Sequence, residues 1–247
     1  MTAPVFVVDT VPAPGGFLLD GPEGRHAVSV KRLRAGEELV LTDGRGGWAE
    51  CVVAAAEGKD QLTIEVTAVH EEPGPAPRVT VVQALPKGDR GELAVETMTE
   101  TGVDAIVPWA ASRCITQWKG DRGLKALAKW RATAREAGKQ SRRTRFPEVT
   151  ELMTGKQVAG FLAEADFAAV LHEDRDHPSG ALATAELPAT GSIVLVVGPE
   201  GGVSPEELAL FEEAGARPYR LGPSVLRTST AGTAAAALVL GRTGRWS

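Results

Sequence analysis

The chain of 247 residues has few of the residues that mark disulfide-rich, zinc-binding or membrane-spanning proteins. Its two cysteines, Cys51 and Cys114, are too few and too isolated for a disulfide framework or a cysteine-based zinc site. The longest near-continuous apolar run, 231–240, is too short to cross a bilayer. The N-terminus also lacks a basic region followed by an apolar core and a cleavage site. These absences predict a cytoplasmic protein with reduced thiols and no membrane partner.

The common nucleotide-binding and metal-binding patterns are missing as well. No G-x-G-x-x-G follows a strand and no G-x-x-x-x-G-K-[ST] occurs, which disfavours NAD enzymes and P-loop NTPases. His172, Glu173, Asp174 and His177 are residue types that ligate metals, but the two histidines do not have the i, i+4 spacing of a helical metal site. We therefore predict no metal.

Charge is distributed unevenly along the chain. The net charge is −5, yet residues 113–145 contain eleven basic residues and two acidic ones, a local charge of +9 that leaves −14 for the rest. A basic segment in an acidic protein favours a local surface for a polyanion, because phosphate contacts supply much of nucleic-acid affinity. The alternative is a solvated helix face. A helix is predicted over 124–141, with a core position for Trp130 and a basic face that includes Lys125, Lys129 and Lys139.

A proline-rich stretch at 71–77 divides the chain, since three prolines and a glycine suit neither strand nor helix. Before it, short alternating runs at 38–42, 48–53 and 62–69 predict a small β domain over residues 1–72. After it, apolar strands alternate with helical stretches. Residues 73–247 are therefore predicted to form an α/β domain with a largely parallel sheet.

Two glycine-bearing loops of the C-terminal third predict a ligand site. Gly198-Pro199-Glu200-Gly201-Gly202 follows the apolar run 193–197, and a second loop begins at Leu221 after another predicted strand. Between them, Ser204 as N-cap, Pro205 and Glu207 predict the start of a helix. Ligands of open parallel sheets bind beyond the carboxyl ends of strands, where both loops fall, and glycines there let backbone approach a ligand closely.

These motifs resemble one family, the 16S ribosomal RNA uridine-N3 methyltransferases of the SPOUT superfamily. The resemblance covers nearly the whole chain. It rests on G-P-E-G-G at 198–202, L-G-P-S-V-L-R-T at 221–228, Q-A-L-P-K at 83–87, T-E-T-G-V at 99–103, Ser112-Arg113, and Q-S-R-R at 140–143 before Phe146-Pro147. It departs at Ser229, where the family usually has a glutamate.

The resemblance implies a trefoil-knotted SPOUT methyltransferase domain after a smaller PUA-like β-barrel domain that binds RNA. It implies S-adenosyl-L-methionine-dependent methylation of N3 of a uridine in the decoding region of 16S ribosomal RNA, with the RNA assembled in the 30S subunit, and a homodimer. The small side chains of residues 231–237 fit a C-terminal helix packed closely inside a knot; an ordinary buried alanine-rich helix is the alternative.

The resemblance also implies the site residues. The cofactor-binding set is Leu171, His172, Glu173, Gly198, Pro199, Glu200, Gly201, Gly202, Leu221, Gly222, Ser224, Val225, Leu226 and Thr228. The RNA-binding set is His26, Lys31, Arg32, Arg34, Lys87, Arg113, Lys139, Arg142 and Arg143.

Catalysis at uridine N3 needs a cation, because deprotonation spreads negative charge onto the flanking carbonyl oxygens. Arg227 is the first candidate and Arg143 the second. Ser229 is too weak a base to replace the glutamate unaided, which leaves Glu200, water or the RNA as proton acceptor. Two other functions remain open at this point: a non-catalytic RNA-binding or ribosome-assembly factor, and a methyltransferase of another RNA, because a fold does not fix a function.

Overall fold

A computed structural model describes residues 3–173 and 180–246 of the chain. The chain divides into two compact units. The first contains the residues up to Gly74 and the segment Gly138–Phe146; the second contains Pro75–Ala137 and the residues from Pro147 onward. The predicted boundary after residue 72 lies in the same linker. The segment Gly138–Phe146, which the sequence places in the C-terminal domain, groups with the N-terminal unit.

The first unit is built on a five-stranded sheet in the order β1-β3-β4-β5-β2. Its elements are β1 (Val5–Val7), β2 (Gly15–Leu19), α1 (Gly21–Arg25) continuing into a π-helical turn (His26–Lys31), β3 (Glu38–Thr42), β4 (Gly47–Glu57) and β5 (Gln61–Glu71). β1 pairs with β3 in parallel, and the other pairs are antiparallel. The three predicted strands are confirmed as β3, β4 and β5. Their alternate residues, such as Leu39, Leu41 and Ile64, are buried in one core.

The second unit alternates strands and helices. Its elements are β6 (Arg78–Ala84), α2 (Arg90–Thr101), β7 (Ala105–Ala110), α3 (Gly120–Gln140), β8 (Glu148–Val149), β9 (Met153–Thr154), α4 (Gly155–Ala163), β10 (Phe167–Leu171), β11 (Gly180–Ala181), a 3-10 turn (Leu182–Thr184), β12 (Ser192–Val197), α5 (Pro205–Glu213), β13 (Arg217–Arg220) and α6 (Thr228–Arg242). The last residues of α3, from Gly138, belong to the first unit.

The eight strands of this unit pair only in parallel, in the order β11-β13-β10-β12-β6-β7-β8, with β9 beside β7. Central strands read as continuous apolar runs because both faces are covered. Along β12, Ile193 and Leu195 join a core with α2, α3 and α6, while Val194 and Val196 join a core with α4 and α5. The α/β prediction is confirmed, and Trp130 is a core residue as predicted.

The start of α5 shows why the chain turns into a helix at this point. The Ser204 side chain accepts a hydrogen bond from the Glu207 N–H, the Glu207 carboxylate accepts one from the Ser204 N–H, and Pro205 is the first helical residue. This capping box confirms the prediction for 204–207. It also ends the G-P-E-G-G loop at a fixed point. Among the described helices, none has the length and apolarity needed to span a membrane.

Candidate functional site

A cleft of about 820 Å³ opens at the carboxyl ends of the parallel strands of the second unit. Three loops wall it, and they follow β10, β12 and β13. Because all strands of the sheet run in parallel, the loops after their carboxyl ends meet at one edge. The first turn of α6 closes the cleft, since Thr228 and Ala231 also line it.

All fourteen residues of the predicted cofactor set line this cleft, although they come from three separate stretches of sequence. The stretches are Leu171–Glu173, Gly198–Gly202 and Leu221–Thr228, apart from Pro223 and Arg227, which were outside that set and line the cleft too. The structure therefore brings together in one concave surface the two glycine-bearing loops and the residues Leu171–Glu173, which the family resemblance had implied.

Backbone groups supply much of the polar surface of the loop that follows β13. Within the described part of the chain, the backbone N–H groups of Gly222, Ser224, Val225 and Leu226 have no hydrogen-bond partner. These four residues are exposed, so their N–H groups can donate to a ligand that replaces water in the cleft. The Val225 and Leu226 side chains are 70% and 40% exposed. The loop is thus suited to grip a planar polar group through its main chain.

Neighbouring loops brace the G-P-E-G-G turn. The Lys87 N–H donates to Glu200 Oε1 at 3.1 Å, and Arg113 Nη1 donates to the Gly201 carbonyl at 3.0 Å. Glycine is needed here, because a Cβ on Gly201 would lie 3.3 Å from Arg113 Cβ and Gly202 has a φ of +72°. Lys87 and Arg113, both predicted to bind RNA, are exposed at this bracing point.

Cationic side chains dominate the rim of the cleft. Arg90, Arg113, Arg220 and Arg227 line it, with Glu173 and Glu200 as the carboxylates. Arg227 is exposed, and the described residues contain no ion-pair partner for its guanidinium. Arg227 precedes α6 as its N-cap, and its carbonyl accepts the N–H of Thr230 and of Ala231, both at 2.9 Å. The helix therefore fixes the Arg227 backbone while its side chain stays available.

Two ionisable groups near this edge have shifted pKa values. Burial raises the pKa of the Cys114 thiol, and its negative neighbours Glu207 and Glu200 add to the shift. Backbone and Ser204 hydrogen bonds, with the nearby Arg113 charge, lower the pKa of Glu206. The Cys114 thiol thus stays protonated near neutral pH and offers no nucleophile.

Arg113 and Arg227 line the cleft and were predicted in other roles. Seven further residues of the cleft wall were not predicted from the sequence. They are Arg90, Val197, Val203, Tyr219, Arg220, Pro223 and Ala231. Most are direct neighbours of predicted residues, so the motifs had marked the right loops with bounds that were too narrow. Arg90 is different, because it is the first residue of α2 and follows β6. The rule that ligands bind beyond the carboxyl ends of strands could have indicated it.

The other predicted RNA-binding residues all belong to the first unit. Lys31, Arg32 and Arg34 are exposed, and Arg32 has a φ of +57°. His26 is half-buried, with its ring edge-on to Phe6 at 5.7 Å between centroids. Arg142 is exposed with a φ of +60°, and Arg143 is half-buried. Arg143, the second catalytic candidate, thus lies in a different compact unit from Arg227.

Lys139 requires a correction. Its side chain is 8% exposed, and its Nζ lies 2.8 Å and 3.0 Å from the two carboxylate oxygens of Glu23, in the same unit. A buried ammonium must be paired with a carboxylate to offset its lost hydration, and that pairing removes it from the basic face of α3. The prediction that Lys139 contacts RNA is therefore not supported by its position.

Two further candidates from the sequence are a metal site and Ser229. The described residues hold no cluster of His, Cys, Asp and Glu able to bind a metal ion, while Asp174 and His177 lie outside them. Ser229, which stands where the resembling family has a glutamate, is 3% exposed inside the first turn of α6. The part of the α6 N-terminus that faces the cleft consists of Arg227, Thr228 and Ala231.

Two protein-family models match the sequence, one on each side of the linker. Residues 72–240 match the model of an RNA methyltransferase domain, and residues 19–67 match that of an RNA methyltransferase PUA domain. Ribosomal RNA small subunit methyltransferase E of Mycobacterium tuberculosis is 46% identical over 251 aligned positions, covering 100% of this chain and 94% of the relative. The protein of the same name from Bacillus subtilis is 29% identical, covering 87% of this chain and 86% of the relative.

Solved structures agree with these relatives. The ribosomal RNA small subunit methyltransferase E of Neisseria gonorrhoeae, bound to S-adenosyl methionine, superposes with a TM-score of 0.83 at 27% identity over 98% of each chain. A Legionella pneumophila protein described as a methyltransferase, in complex with the same cofactor, gives a TM-score of 0.84 at 26% identity over 98% of each chain. The chain therefore belongs to the RNA methyltransferase family of the ribosomal RNA small subunit methyltransferase E proteins.

Proposed function

We propose that this protein transfers a methyl group from S-adenosyl-L-methionine to N3 of a specific uridine in the decoding region of 16S ribosomal RNA. The observation that carries the proposal is the cleft at the carboxyl ends of the parallel strands, which all fourteen predicted cofactor residues line. The names of the similar proteins support a small-subunit ribosomal RNA substrate. The motifs 83–87, 140–143 and 221–228 support uridine N3 as the target.

The cleft fits the proposed cofactor. Its volume of about 820 Å³ lies within the ~300–1,000 Å³ range of small-molecule sites. The unpaired N–H groups of Gly222, Val225 and Leu226 would hold the adenine, and Gly198, Gly201 and Gly202 would let the opposite wall approach closely. When bound, the cofactor supplies a methyl group on a sulfonium, which needs an aligned acceptor more than a covalent catalyst.

Arg227 would act on the uracil ring. Uridine N3 is mostly protonated at neutral pH, and the anion formed on its deprotonation carries charge on the flanking carbonyl oxygens. A fixed guanidinium beside those oxygens stabilises that charge as it develops. Arg227 meets the requirement because it lines the cleft, is exposed and has no ion-pair partner among residues 3–173 and 180–246. Arg143 would then grip a phosphate.

The proton acceptor is a carboxylate of the cleft wall in this proposal. Ser229 is buried, and a serine hydroxyl is too weak a base. Glu173 and Glu200 both line the cleft and are exposed, and Glu200 is oriented by the Lys87 N–H. Substituting each by glutamine keeps size and removes the base. We expect one of the two variants to lose turnover with little change in cofactor affinity.

The proposal extends to the finer fold, the assembly and the location. Residues 1–72 would form a PUA-like β-barrel, and residues 73–247 a SPOUT domain with a trefoil knot, in a cytoplasmic homodimer. Close packing of α6 supports the knot, because a Cβ on Gly232 would lie 2.7 Å from Met98 Sδ and 3.3 Å from Val81 Cγ1. The exposed Val225 and Leu226 support a second copy beside the cleft.

The first experiment identifies the product. Purified protein is incubated with labelled S-adenosyl-L-methionine and either 30S subunits or naked 16S RNA that lacks the modification. The RNA is then digested and the labelled nucleoside is identified. 3-Methyluridine is the expected product, with assembled 30S subunits as the better substrate. A different methylated nucleoside would overturn the target, and RNA binding without any transfer would favour a non-catalytic assembly factor.

A matched pair of arginine variants tests the catalytic assignment. Arg227→Ala should lower turnover by about 100-fold or more while cofactor affinity changes little, as for the loss of one charged group at a developing anion. Arg217→Ala is the control, because Arg217 is an exposed arginine of the same unit, at the start of β13, that does not line the cleft. Normal turnover in Arg227→Ala would sink the assignment.

A further inference from the structure

A stacked pair of aromatic side chains lies on the sheet of the first unit. Trp48 of β4 and His70 of β5 are direct cross-strand partners. Their ring centroids are 4.1 Å apart and their planes are inclined by 24°. Neither ring belongs to the core of this unit, and the His70 side chain is 39% exposed. A nearly parallel, partly exposed stack of this kind presents flat π surface to the outside.

The surroundings hold the stack in place and leave one side of it uncovered by the sheet. His70 Nε2 lies 3.1 Å from Glu50 Oε1, which fixes the imidazole orientation. β2 pairs with β5 only between Leu62 and Val66, so it does not extend beside His70. A further planar group can therefore approach the pair from that edge without displacing a strand.

A basic segment of the same unit is joined to the turn before Trp48. The Gly46 N–H donates to the Thr144 carbonyl at 3.1 Å, and the Phe146 N–H donates to the Gly44 carbonyl at 2.8 Å. These bonds align the segment 144–146 antiparallel to the turn 44–46. Thr42 Oγ1, on the residue paired with Trp48, also donates to the Thr144 carbonyl at 2.8 Å. The segment that carries the arginines at 142, 143 and 145 is thereby anchored to the turn that precedes Trp48.

Acidic groups of this region are already engaged, whereas two guanidinium groups are not. Asp43 Oδ1 accepts the N–H groups of Arg45 at 2.7 Å and Gly47 at 3.1 Å. Glu72 accepts the Thr144 hydroxyl, and Glu50 contacts His70. Arg45 and Arg142 are exposed, and neither has an ion-pair partner in the described portion of the chain. These two guanidinium groups are therefore available to the phosphates of a partner.

We propose that the Trp48–His70 pair is a stacking site for an unpaired RNA base, with Arg45 and Arg142 on the adjoining phosphates. The inference rests on the proposed function in one respect, that RNA is the partner. Single-stranded RNA is recognised by stacking its exposed bases on aromatic rings, and every base offers a π face. Arg45 lies in the turn before Trp48 and Arg142 in the segment anchored to that turn, and their guanidinium groups would attract the phosphate backbone. An ordinary cross-strand pair that only stabilises the sheet would not need the two unpaired arginines.

Two variants, each with one tryptophan replaced, test the site in the full-length protein. Trp48→Leu is compared with Trp246→Leu, because Trp246 is also exposed, at 57%, but belongs to the other unit. The probes are an unmodified single-stranded 16S RNA fragment and the same sequence annealed into a duplex. Trp48→Leu should weaken binding of the single strand by about 5- to 150-fold, the range measured for one stacked base, and duplex binding far less. Trp246→Leu should bind both as the unaltered protein does.

Two further measurements keep the test decisive if Trp48→Leu folds poorly. His70→Ala should weaken single-strand binding in the same direction, while Trp48→Tyr, which retains a flat ring, should restore most of the affinity. Arg45→Ala and Arg142→Ala should each reduce the slope of log affinity against log salt by about 0.7, the value for one lost phosphate contact on a single strand. Unchanged single-strand affinity in both Trp48→Leu and His70→Ala would overturn the stacking site.

Methyl transfer assayed on the same preparations separates the two proposals. Transfer by the unaltered protein, together with full RNA affinity in Trp48→Leu, would overturn the stacking site and leave the proposed function standing. Absence of transfer, together with lost single-strand affinity in Trp48→Leu, would overturn the proposed reaction and support the stacking site. Equal loss of duplex and single-strand binding would also count against stacking.

Discussion

Glu207 holds the loop of Ser112 through both of its carboxylate oxygens. Oε1 accepts the Ser112 N–H at 2.7 Å and Oε2 accepts the Ser112 hydroxyl at 2.9 Å. The same carboxylate caps α5 through the Ser204 N–H at 3.3 Å. The side chain of Arg113, the next residue, donates to the Gly201 carbonyl. Glu207 therefore holds in place the loop after β7, and that loop in turn contacts the wall of the cleft.

Removing this carboxylate should therefore affect both the fold and the cleft. Glu207→Ala should lower the free energy of unfolding by about 1–3 kcal/mol, since the hydrogen bonds involve a charged group. It should also weaken cofactor binding by about 10-fold, equivalent to about 1.4 kcal/mol, because Arg113 loses its support. Urea unfolding and calorimetric titration measure the two effects. Glu213→Ala, an exposed change on the same helix, is the control; equal cofactor affinity in the two variants would contradict the linkage.

Two glycine-to-alanine substitutions in helices should have opposite effects on stability. At Gly232 of α6, the added Cβ would lie 2.7 Å from Met98 Sδ and 3.3 Å from Val81 Cγ1, so the buried Met98 side chain must shift within a closely packed core. We expect a loss of about 1–3 kcal/mol, as for other overpacked cores. At Gly160 of α4, nothing lies within 4 Å of the added Cβ, so helix propensity alone should act and raise stability by about 0.5–1 kcal/mol.

Chemical denaturation of the two variants beside the unaltered protein measures this difference in sign. The Gly232 variant carries further information, because α6 also contributes Thr228 and Ala231 to the cleft. A Gly232→Ala protein as stable as the unaltered one would show that the Met98 side chain repacks at little cost, contrary to the expected overpacking.

Local sequence patterns predicted the elements that depend on nearby residues. The capping box at 204–207 acts over four positions, and the apolar run before Gly198 is a strand because both of its faces are covered. The cleft followed from the same information, because parallel strands place their carboxyl ends together. The loops after 171, 197 and 220 follow parallel strands. This fact alone predicts that Glu173, Gly201 and Val225 lie on one surface, as they do.

Features that depend on distant partners were beyond the sequence. Lys139 reads as one more cation of a basic helix face, and its burial against Glu23 depends on a residue 116 positions away. The grouping of 138–146 with the first unit has the same origin, since the segment pairs with the turn 44–46. Trp48 and His70 become a stack only through the register of β4 and β5, which helical or strand periodicity does not determine.

The buried pair of Lys139 and Glu23 predicts a stability effect in place of an RNA-binding effect. Lys139→Met removes the ammonium that lies against the Glu23 carboxylate, which is 15% exposed. Breaking a buried pair in this way costs about 3–5 kcal/mol. Urea unfolding should show the loss, and the RNA affinity of the folded fraction should stay within about twofold of the unaltered protein. A single phosphate contact would be worth more at low salt.

Lys125→Met is the matched control, because Lys125 is exposed on the same helix. It should leave the unfolding free energy within about 0.5 kcal/mol of the unaltered value, as for other surface changes. If Lys139→Met proved as stable as Lys125→Met and bound RNA less tightly, the original assignment of Lys139 to the RNA surface would be restored.

The two cysteines should react slowly with alkylating reagents, and Cys51 more slowly than its exposure alone would require. Burial raises the pKa of the Cys51 thiol from 9.0 to about 11, and it raises the pKa of Cys114 as well. Only the thiolate is nucleophilic, so at pH 8 a thiol with the raised pKa has about 100-fold less of the reactive form than an unperturbed one. Cys51 is also 2% exposed, so it reacts only when its strand opens.

Iodoacetamide labelling of the native protein, read by mass spectrometry from pH 7 to pH 10.5, tests this order. Labelling of Cys114 should precede that of Cys51 at every pH, and the rate of Cys51 labelling should still be rising at pH 10. Because the folded pKa of Cys51 is the higher one, its contribution to stability is complete below pH 9 and declines as the pH rises toward 11. Rapid labelling of Cys51 at pH 8, with a plateau near pH 9, would contradict the burial of β4 in the core of the first unit.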